Sequence, residues 1–522
     1  METRGDGSGG GETPPGGGRG GGVPLEPVTA QQDSDAAVRA GPGGDMDAET
    51  FRRFGHAVID RIGAYLADPG RWPVLPPVEP GDVAAALPRM APAEGEPFDA
   101  ILDDYDRLIV PATTHWNHPG FLAYFAITGS GAGILAEALS AALNVNAMLW
   151  RTGPAATELE QVTLDWLRQL LGLPEALDGT INDTASSSTL YALAAAREAD
   201  PALRIREDGL AGRSDLPPLR IYCSEEAHSS VDKAVLTLGL GLRGLRRIPT
   251  DDDYRLDPAA LDAAIREDRA AGIRPLAVVA TVGTTSTTSV DPVPAIAEIC
   301  VRERLWLHVD AAYAGSAAVV PELRWALDGC DRADSLVVNP HKWLFVPVDC
   351  SVLYTRRPDV LRRAFSLVPE YLTTSVAGEV RNLMDYGVSL GRRFRALKLW
   401  FVLRWFGEAG LVSRLREHVR LAQLFARRID EDPGFERLAP SPFSVVVFRS
   451  RPQGLADDAL DRHNAAVLEA VNASGEVFLS HTRVSGRFAI RLAIGNLRTT
   501  ERHVLRAWAL LREAALADTG FV

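Results

Sequence analysis

Lysine is nearly absent from this 522-residue chain: of its 55 basic residues, all but Lys233, Lys342 and Lys398 are arginine. Where a plain positive charge suffices, arginine stands in for lysine, so the three positions that keep lysine are the ones to ask whether an amine is needed. A guanidinium stays charged in a protein, whereas a buried ammonium can lose its proton and become a nucleophile. Cysteine is also scarce. Its four residues, Cys223, Cys300, Cys330 and Cys350, show neither the density of a disulfide scaffold nor the spacing of a metal site, which points to a reducing cytoplasm. No apolar run approaches the roughly 20 residues that span a bilayer, and the basic-then-apolar layout of a secretory signal is missing. No membrane association is expected. Positive charge is in deficit, with 68 acidic residues and a net charge of −13, which argues against general nucleic-acid affinity.

What is present is ordinary for a large globular protein: 46% hydrophobic and 24% charged residues, with room for about three domains. Residues 1–45 carry GGGRGGG and PPGGG and hold too little apolar surface to offset the entropy of ordering, so a disordered tail is expected. From 46 to 128 the text begins with apolar residues at helical spacing, then becomes Pro-rich, and reads as a helical arm. Between 129 and 410 short β-branched runs such as LAVVATV, LWLHVDAA and SLVVNP alternate with helical patterns. That alternation predicts an α/β domain, a mainly parallel sheet flanked by helices, with ligands gathered at the carboxyl ends of the strands. Residues 411–522 read as a smaller α+β domain.

Three of those apolar runs end in unlike polar groups: one at Asp310, one at Asn339, His341 and Lys342, one at Thr284 and Thr285. If the strands are neighbours, an acid and an amine converge on one crevice. That pair suits pyridoxal phosphate, whose aldehyde condenses with a lysine and whose pyridine nitrogen needs a carboxylate to stay protonated. Alone, Asp310 would read equally well as a helix cap or an ion-pair partner. Thr184 through Ser188 open an Ala/Leu helix and could cradle a phosphate, although Ser-rich helix starts are usually plain caps. His228, after a short strand, could stack on a flat cofactor, move a proton or be a hydrogen-bonded loop histidine. His115 and His118, in HWNH, lack a third ligand at metal-like spacing, so no metal is expected. The run with Gly129, Gly131 and Gly133 misplaces its third glycine for a dinucleotide-binding turn and reads as a site of close packing.

Read in chain order, PAATELE, AHSSVDKA, ATVGTTS, HVDAAYAGSA, NPHKWL and GRRFRALKLW resemble the group II pyridoxal-phosphate decarboxylases, nearest to the aromatic-L-amino-acid decarboxylases. The resemblance runs from about Asp47 to the C-terminus. It implies a type I aminotransferase-like fold in a homodimer with shared active sites, the helical arm packing across the partner. It also implies roles. Lys342 anchors the cofactor, Asp310 pairs with the pyridine nitrogen, His228 stacks on the ring and Ala312 packs on its other face. Ala185, Ser186, Asn339 and His341 surround the phosphate, and Thr284 lies near the ring. Tyr371 falls at a mobile catalytic-loop tyrosine, and Arg392 and Arg393 organise the site from the next helix. Trp116, Tyr124, Phe125, Asn146, Met148, Gly391 and Arg392 fall at the substrate pocket. The expected reaction is decarboxylation of tryptophan, DOPA, tyrosine or phenylalanine to the amine. The alternatives are a non-aromatic substrate of the glutamate or diaminobutyrate type, an aldehyde synthase, or a non-catalytic cofactor-binding protein.

Overall fold

The computed structural model describes residues 44–367 and 380–519; residues 1–43 of the Gly/Pro-rich tail and Tyr371 lie outside the described residues. The chain divides into two compact units, Met1–His115 and Trp116–Val522. The described part of the first is helical, with helices Ala48–Ala67, Asp82–Ala86 and Phe98–Asp104. The first helix starts where the Asp47 carboxylate accepts the N–H groups of Glu49 and Thr50, satisfying donors that have no partner inside the helix. Phe54 packs on Phe98 with ring centroids 4.7 Å apart, while Phe51, Ile59 and Ile101 stay exposed.

The second unit is built on a seven-stranded sheet of β1 (Asp178–Asn182), β2 (Leu219–Ser224), β3 (Leu245–Ile248), β4 (Arg274–Thr281), β5 (Trp306–Asp310), β6 (Ser335–Val338) and β7 (Ser351–Thr355). The order is β1-β7-β6-β5-β4-β2-β3, and β2 to β6 run parallel. Only β7 is reversed, pairing antiparallel with both β6 and β1. The connection from β6 to β7 holds just the one-turn helix Pro340–Trp343, not the crossover helix that a parallel return requires.

Both faces of the sheet are covered, which is why its strands read as unbroken apolar runs. Alternate residues point to opposite sides. Val278, Ala280, Leu307 and Val309 enter one core, whereas Ala277, Val279, Trp306 and Cys223 enter another with Ala192, Leu193, Ala195 and Ala196 of the helix Ala185–Glu198. By the same two-residue period, His308 and Asp310 follow Trp306 on the face that this helix covers. Asp310 therefore emerges at a strand end on the side where the helix begins.

A second sheet follows, with β8 (Phe435–Arg437), β9 (Val445–Ser450), β10 (Ser480–Val484) and β11 (Arg487–Ala493) in the antiparallel order β10-β11-β9-β8. The helices Asp457–Ala473 and Glu501–Thr519 complete this α+β part. The helix Ala396–Glu431 leads into it, running through residue 410, and breaks at Gly407, where φ is 60° and ψ is 175°. Among the described residues no helix is long and apolar enough to cross a membrane.

Candidate active site

Three strand ends and one helix start meet at the carboxyl edge of the large sheet. The Asp310 carboxylate, at the end of β5, accepts the N–H of Ala312, and the Ala312 carbonyl accepts the N–H of Asn339 at the end of β6. These bonds tie the acid and the lysine-bearing turn together, since the Lys342 N–H donates to the Asn339 carbonyl at 2.9 Å. His341 is buried, and its Nδ1 accepts the N–H of Cys350 at 2.8 Å, so the neutral ring carries its proton on Nε2. Burial and the neighbouring Lys342 bring its pKa down to about 4. The Asn339 Oδ1 is buried with no partner among the described residues.

Ala185 and Ser186 open the helix that Thr184 caps; the Thr184 hydroxyl accepts from Ser187 N–H at 3.5 Å. Ser188, one turn in, is held by Asn182 and Ser351. His228 stands in the loop after β2, and its Nδ1 accepts the N–H of Ser230 in a part-buried bond, which again leaves the proton on Nε2. Its pKa is lowered by burial; Asp310 pulls the other way, and Lys342 and Lys233 reinforce the drop. Thr284 is fully buried and turned into its own loop, where its hydroxyl meets Thr287 and accepts from Ser289 N–H. Gly283 before it has a φ of +86°, and an added Cβ would come within 2.6 Å of Ala314 Cβ, so only glycine admits this close approach.

Lys342 is half-buried with its Nζ 4.9 Å from the centroid of the Phe125 ring. Its amine is held below the usual lysine range by burial, which outweighs the opposite pull of Asp310, and by the charge of Arg491. Arg491 lies over the same ring, 4.6 Å from the centroid. It was not singled out in the sequence: in a chain where nearly every basic residue is arginine, one more in the strand RFAIRLAIGN carries no signal. Trp116 stacks on Phe121 and Tyr124, and Phe125, next to Tyr124 in the chain, stacks on Tyr313 at 4.0 Å.

The remaining pocket candidates form a second group. The Asn146 amide oxygen accepts from Arg392 N–H at 3.0 Å, its amide nitrogen approaches the Met148 sulfur at 3.6 Å, and a Cβ on Gly391 would lie 3.8 Å from that nitrogen. The guanidinium of Arg392 is turned inward, to Glu160 and the carbonyls of Ile181 and Leu383. Glu160, in PAATELE, also accepts from Ile181 N–H, so this buried pair braces the carboxyl end of β1. Arg393 pairs with Glu137. A cavity of about 100 Å³ is lined by Asp183, Tyr191, Gly391, Arg392, Arg393 and Arg395.

His115 and His118 make separate local bonds: His115 Nδ1 with the Tyr65 hydroxyl, His118 Nδ1 with Gly120 N–H. Among the described residues no three His, Cys, Asp or Glu side chains gather as metal ligands. Gly133 packs so tightly on Pro347 that an added Cβ would lie 2.4 Å from its Cδ.

An amine of lowered basicity, a carboxylate one strand away, an imidazole and a set of polar groups at a helix start form a donor set that fits pyridoxal phosphate, and the partnerless Asn339 amide oxygen marks a buried polar position a ligand would fill. Comparison with known proteins agrees. Residues 80–451 match the model of the pyridoxal-dependent decarboxylase conserved domain. Phenylacetaldehyde synthase of Arabidopsis thaliana is 42% identical over 480 residues, covering 90% of this chain and 96% of the relative. Tryptophan decarboxylase 2 of Oryza sativa subsp. japonica is 40% identical over 498 residues, covering 92% and 99%. The crystal structure of Oryza sativa TDC with PLP and tryptamine superposes with a TM-score of 0.87 at 39% identity, covering 90% of this chain and 99% of that one. The chain belongs to the pyridoxal-dependent decarboxylase family.

Proposed function

We propose that this decarboxylase acts on an aromatic L-amino acid, releasing CO2 and the corresponding amine. The observation that carries the reading is the setting of Lys342, an amine lowered in basicity beside the Phe125 ring, with Asp310 and Arg491 acting on its charge. Lys342 would hold the aldehyde carbon of pyridoxal phosphate, Asp310 the pyridine nitrogen, His228 and Ala312 the two faces of the ring, and Ala185, Ser186, Asn339 and His341 the phosphate. Thr284 supports the loop beside it. Bound there, the cofactor supplies an electron-poor ring that takes up the electron pair left when CO2 departs.

The protein's own groups supply the rest. The depressed basicity of Lys342 leaves a fraction of amine free to attack and to accept a proton at Nζ. His228, with Nδ1 engaged by Ser230, keeps Nε2–H free of that bond and would hold or pass a proton there. His341 offers an Nε2–H to an anion without adding charge. Trp116, Tyr124 and Phe125 would offer stacking faces to a flat side chain. Tyr371 is the proposed proton donor to the product carbon. The relatives named above carry aromatic products or substrates in their names, which supports the aromatic class.

We infer a homodimer for two reasons. Leu135, Leu139 and Leu143 form an exposed stripe, 50%, 51% and 61% accessible, at four-residue spacing on the helix Gly131–Leu143. The Asn146, Met148 and Gly391 group would complete the pocket of a partner's site. A cytoplasmic location is proposed from the four cysteines, which are buried and unpaired.

The test is to incubate the purified holoenzyme with L-tryptophan, L-DOPA, L-tyrosine, L-phenylalanine and L-glutamate, and to quantify amine, aldehyde and peroxide. Amine from at least one aromatic acid and none from glutamate is expected; no product from any aromatic acid would sink the reading. The identity to phenylacetaldehyde synthase favours a second reading, in which the amino acid, O2 and water give an aldehyde, CO2, ammonia and hydrogen peroxide, O2 being the two-electron oxidant and water the source of the aldehyde oxygen. Peroxide equal to CO2 would select it.

A further inference from the structure

The cation at Arg491 is not explained by the roles above. It extends from β11 of the smaller sheet, where the residue is only 3% exposed. Its nitrogens meet carbonyls instead of a carboxylate: Nε donates to the Ser286 carbonyl at 3.2 Å and Nη1 to the Tyr124 carbonyl. Its Nη2 is buried without a partner among the described residues. A buried cation held in this way is expensive unless its charge serves something nearby. Because Tyr313 covers one face of Phe125, Arg491 and Lys342 share the other.

We propose that Arg491 is a positioning residue for Lys342: its stack fixes the Phe125 ring against the lysine, and its charge, sharing that ring face, biases the lysine nitrogen toward the neutral, nucleophilic state. The inference rests on Lys342 being the reactive amine. The same two carbonyl bonds also pin the loops carrying Tyr124 and Ser286 to the smaller sheet, so β11 contributes to a site otherwise built from the large one. Four titratable or charged groups are coupled electrostatically to Lys342: Asp310 at the end of β5, His228 from the loop after β2, His341 in its own turn and Arg491 from β11; Tyr313 lies behind Phe125. Asp310 draws the amine toward its charged form, and Arg491 opposes it. Burial brings the Arg491 guanidinium down to about 10, which still leaves it charged at neutral pH.

The experiment titrates the visible absorbance of the holoenzyme's cofactor, which reports the proton on the Lys342 nitrogen, in the parent, Arg491→Gln, Arg491→Met and Arg491→Lys, with circular dichroism as the check on folding. Arg491→Gln and Arg491→Met should move the midpoint upward by about one pH unit, a tenfold change in the neutral fraction at fixed pH. Arg491→Lys, which keeps the charge, should stay near the parent. Superimposable profiles for the parent and either folded neutral variant would overturn the proposal. So would Arg491→Lys shifting as far as Arg491→Gln, or, if neither neutral variant folds, Arg491→Lys by itself shifting by about one pH unit. Lys342→Ala separates the two readings: a cofactor band that persists in it shows that another amine reacts, and the failure then lies with the assignment of Lys342.

Discussion

The three lysines that survive in this arginine-rich chain have three different surroundings. Lys233 is exposed on the helix Ser230–Thr237 and has no constraint that arginine could not meet. Lys398 is buried and paired with Glu137, a compact ion pair inside the protein. Lys342 faces a ring and the charge of a second cation, and burial, with that cation, leaves the amine less basic than usual against the pull of Asp310. Lys342→Arg therefore keeps the charge and removes the chemistry, because a guanidinium cannot lose its proton to attack an aldehyde. Amine formation should fall by at least about 10²-fold, measured as CO2 release under saturating cofactor, while the thermal midpoint stays close to the parent's. At this scale the sequence singles out Lys342, Asp310 and His228, whose residue types are chemically specific, and passes over Arg491, whose type is the chain's default.

At the scale of elements, the strand ends decide the site and two local devices hold them. Gly407 breaks the long helix before the smaller sheet with φ and ψ that residues with a Cβ rarely adopt, and nothing crowds its Cα. Gly407→Ala should cost about 1–3 kcal/mol through backbone strain alone, seen as a lower urea midpoint with an unchanged m-value. Asp291 is fully enclosed and accepts the N–H groups of Thr281, at the end of β4, and Leu256. Burial pushes its carboxyl up to about 7. A folded-state pKa above the unfolded value means that its contribution is present below about pH 4 and is lost as pH rises toward 7. Asp291→Asn lacks that loss, so the stability difference, variant minus parent, should increase across that window in denaturation midpoints taken at several pH values. The alternation of strands and helices was legible because a sheet buried on both faces needs apolar runs of one length. The reversal of β7 was not, since it depends on how short the intervening turn becomes once Lys342 is fixed.

For the molecule as a whole, acid stability follows from its enclosed imidazoles. His308, His341 and His418 are each brought down to about 4, chiefly by burial. Unfolded imidazoles take up protons from about pH 6.5 downward while these three do not, so their contribution is full above 6.5 and is lost as pH falls toward 4. The thermal midpoint should drop over that range, opposed in part by Asp291. The proposed dimer makes its own prediction. Leu139→Glu, placed in the middle of the exposed stripe, should shift the species in analytical ultracentrifugation to the monomer and abolish amine formation with it; an active monomer would separate the site from the interface.

The sequence by itself determined the class of fold, through the period of its apolar residues, and the identity of the cofactor, through an acid and an amine at two apolar strand ends. It did so because periodicity and residue chemistry are local properties of the chain. Only the tertiary structure decided which charges stand around that amine. Arg491 lies 149 positions beyond Lys342 in the chain, and it shares a ring face with the lysine only because the smaller sheet is folded back onto the loop of Phe125. Nor does the chain text say that Arg392 spends its guanidinium on Glu160 and two carbonyls. Side-chain direction depends on which partners the packed backbone brings within reach, and no local pattern encodes that.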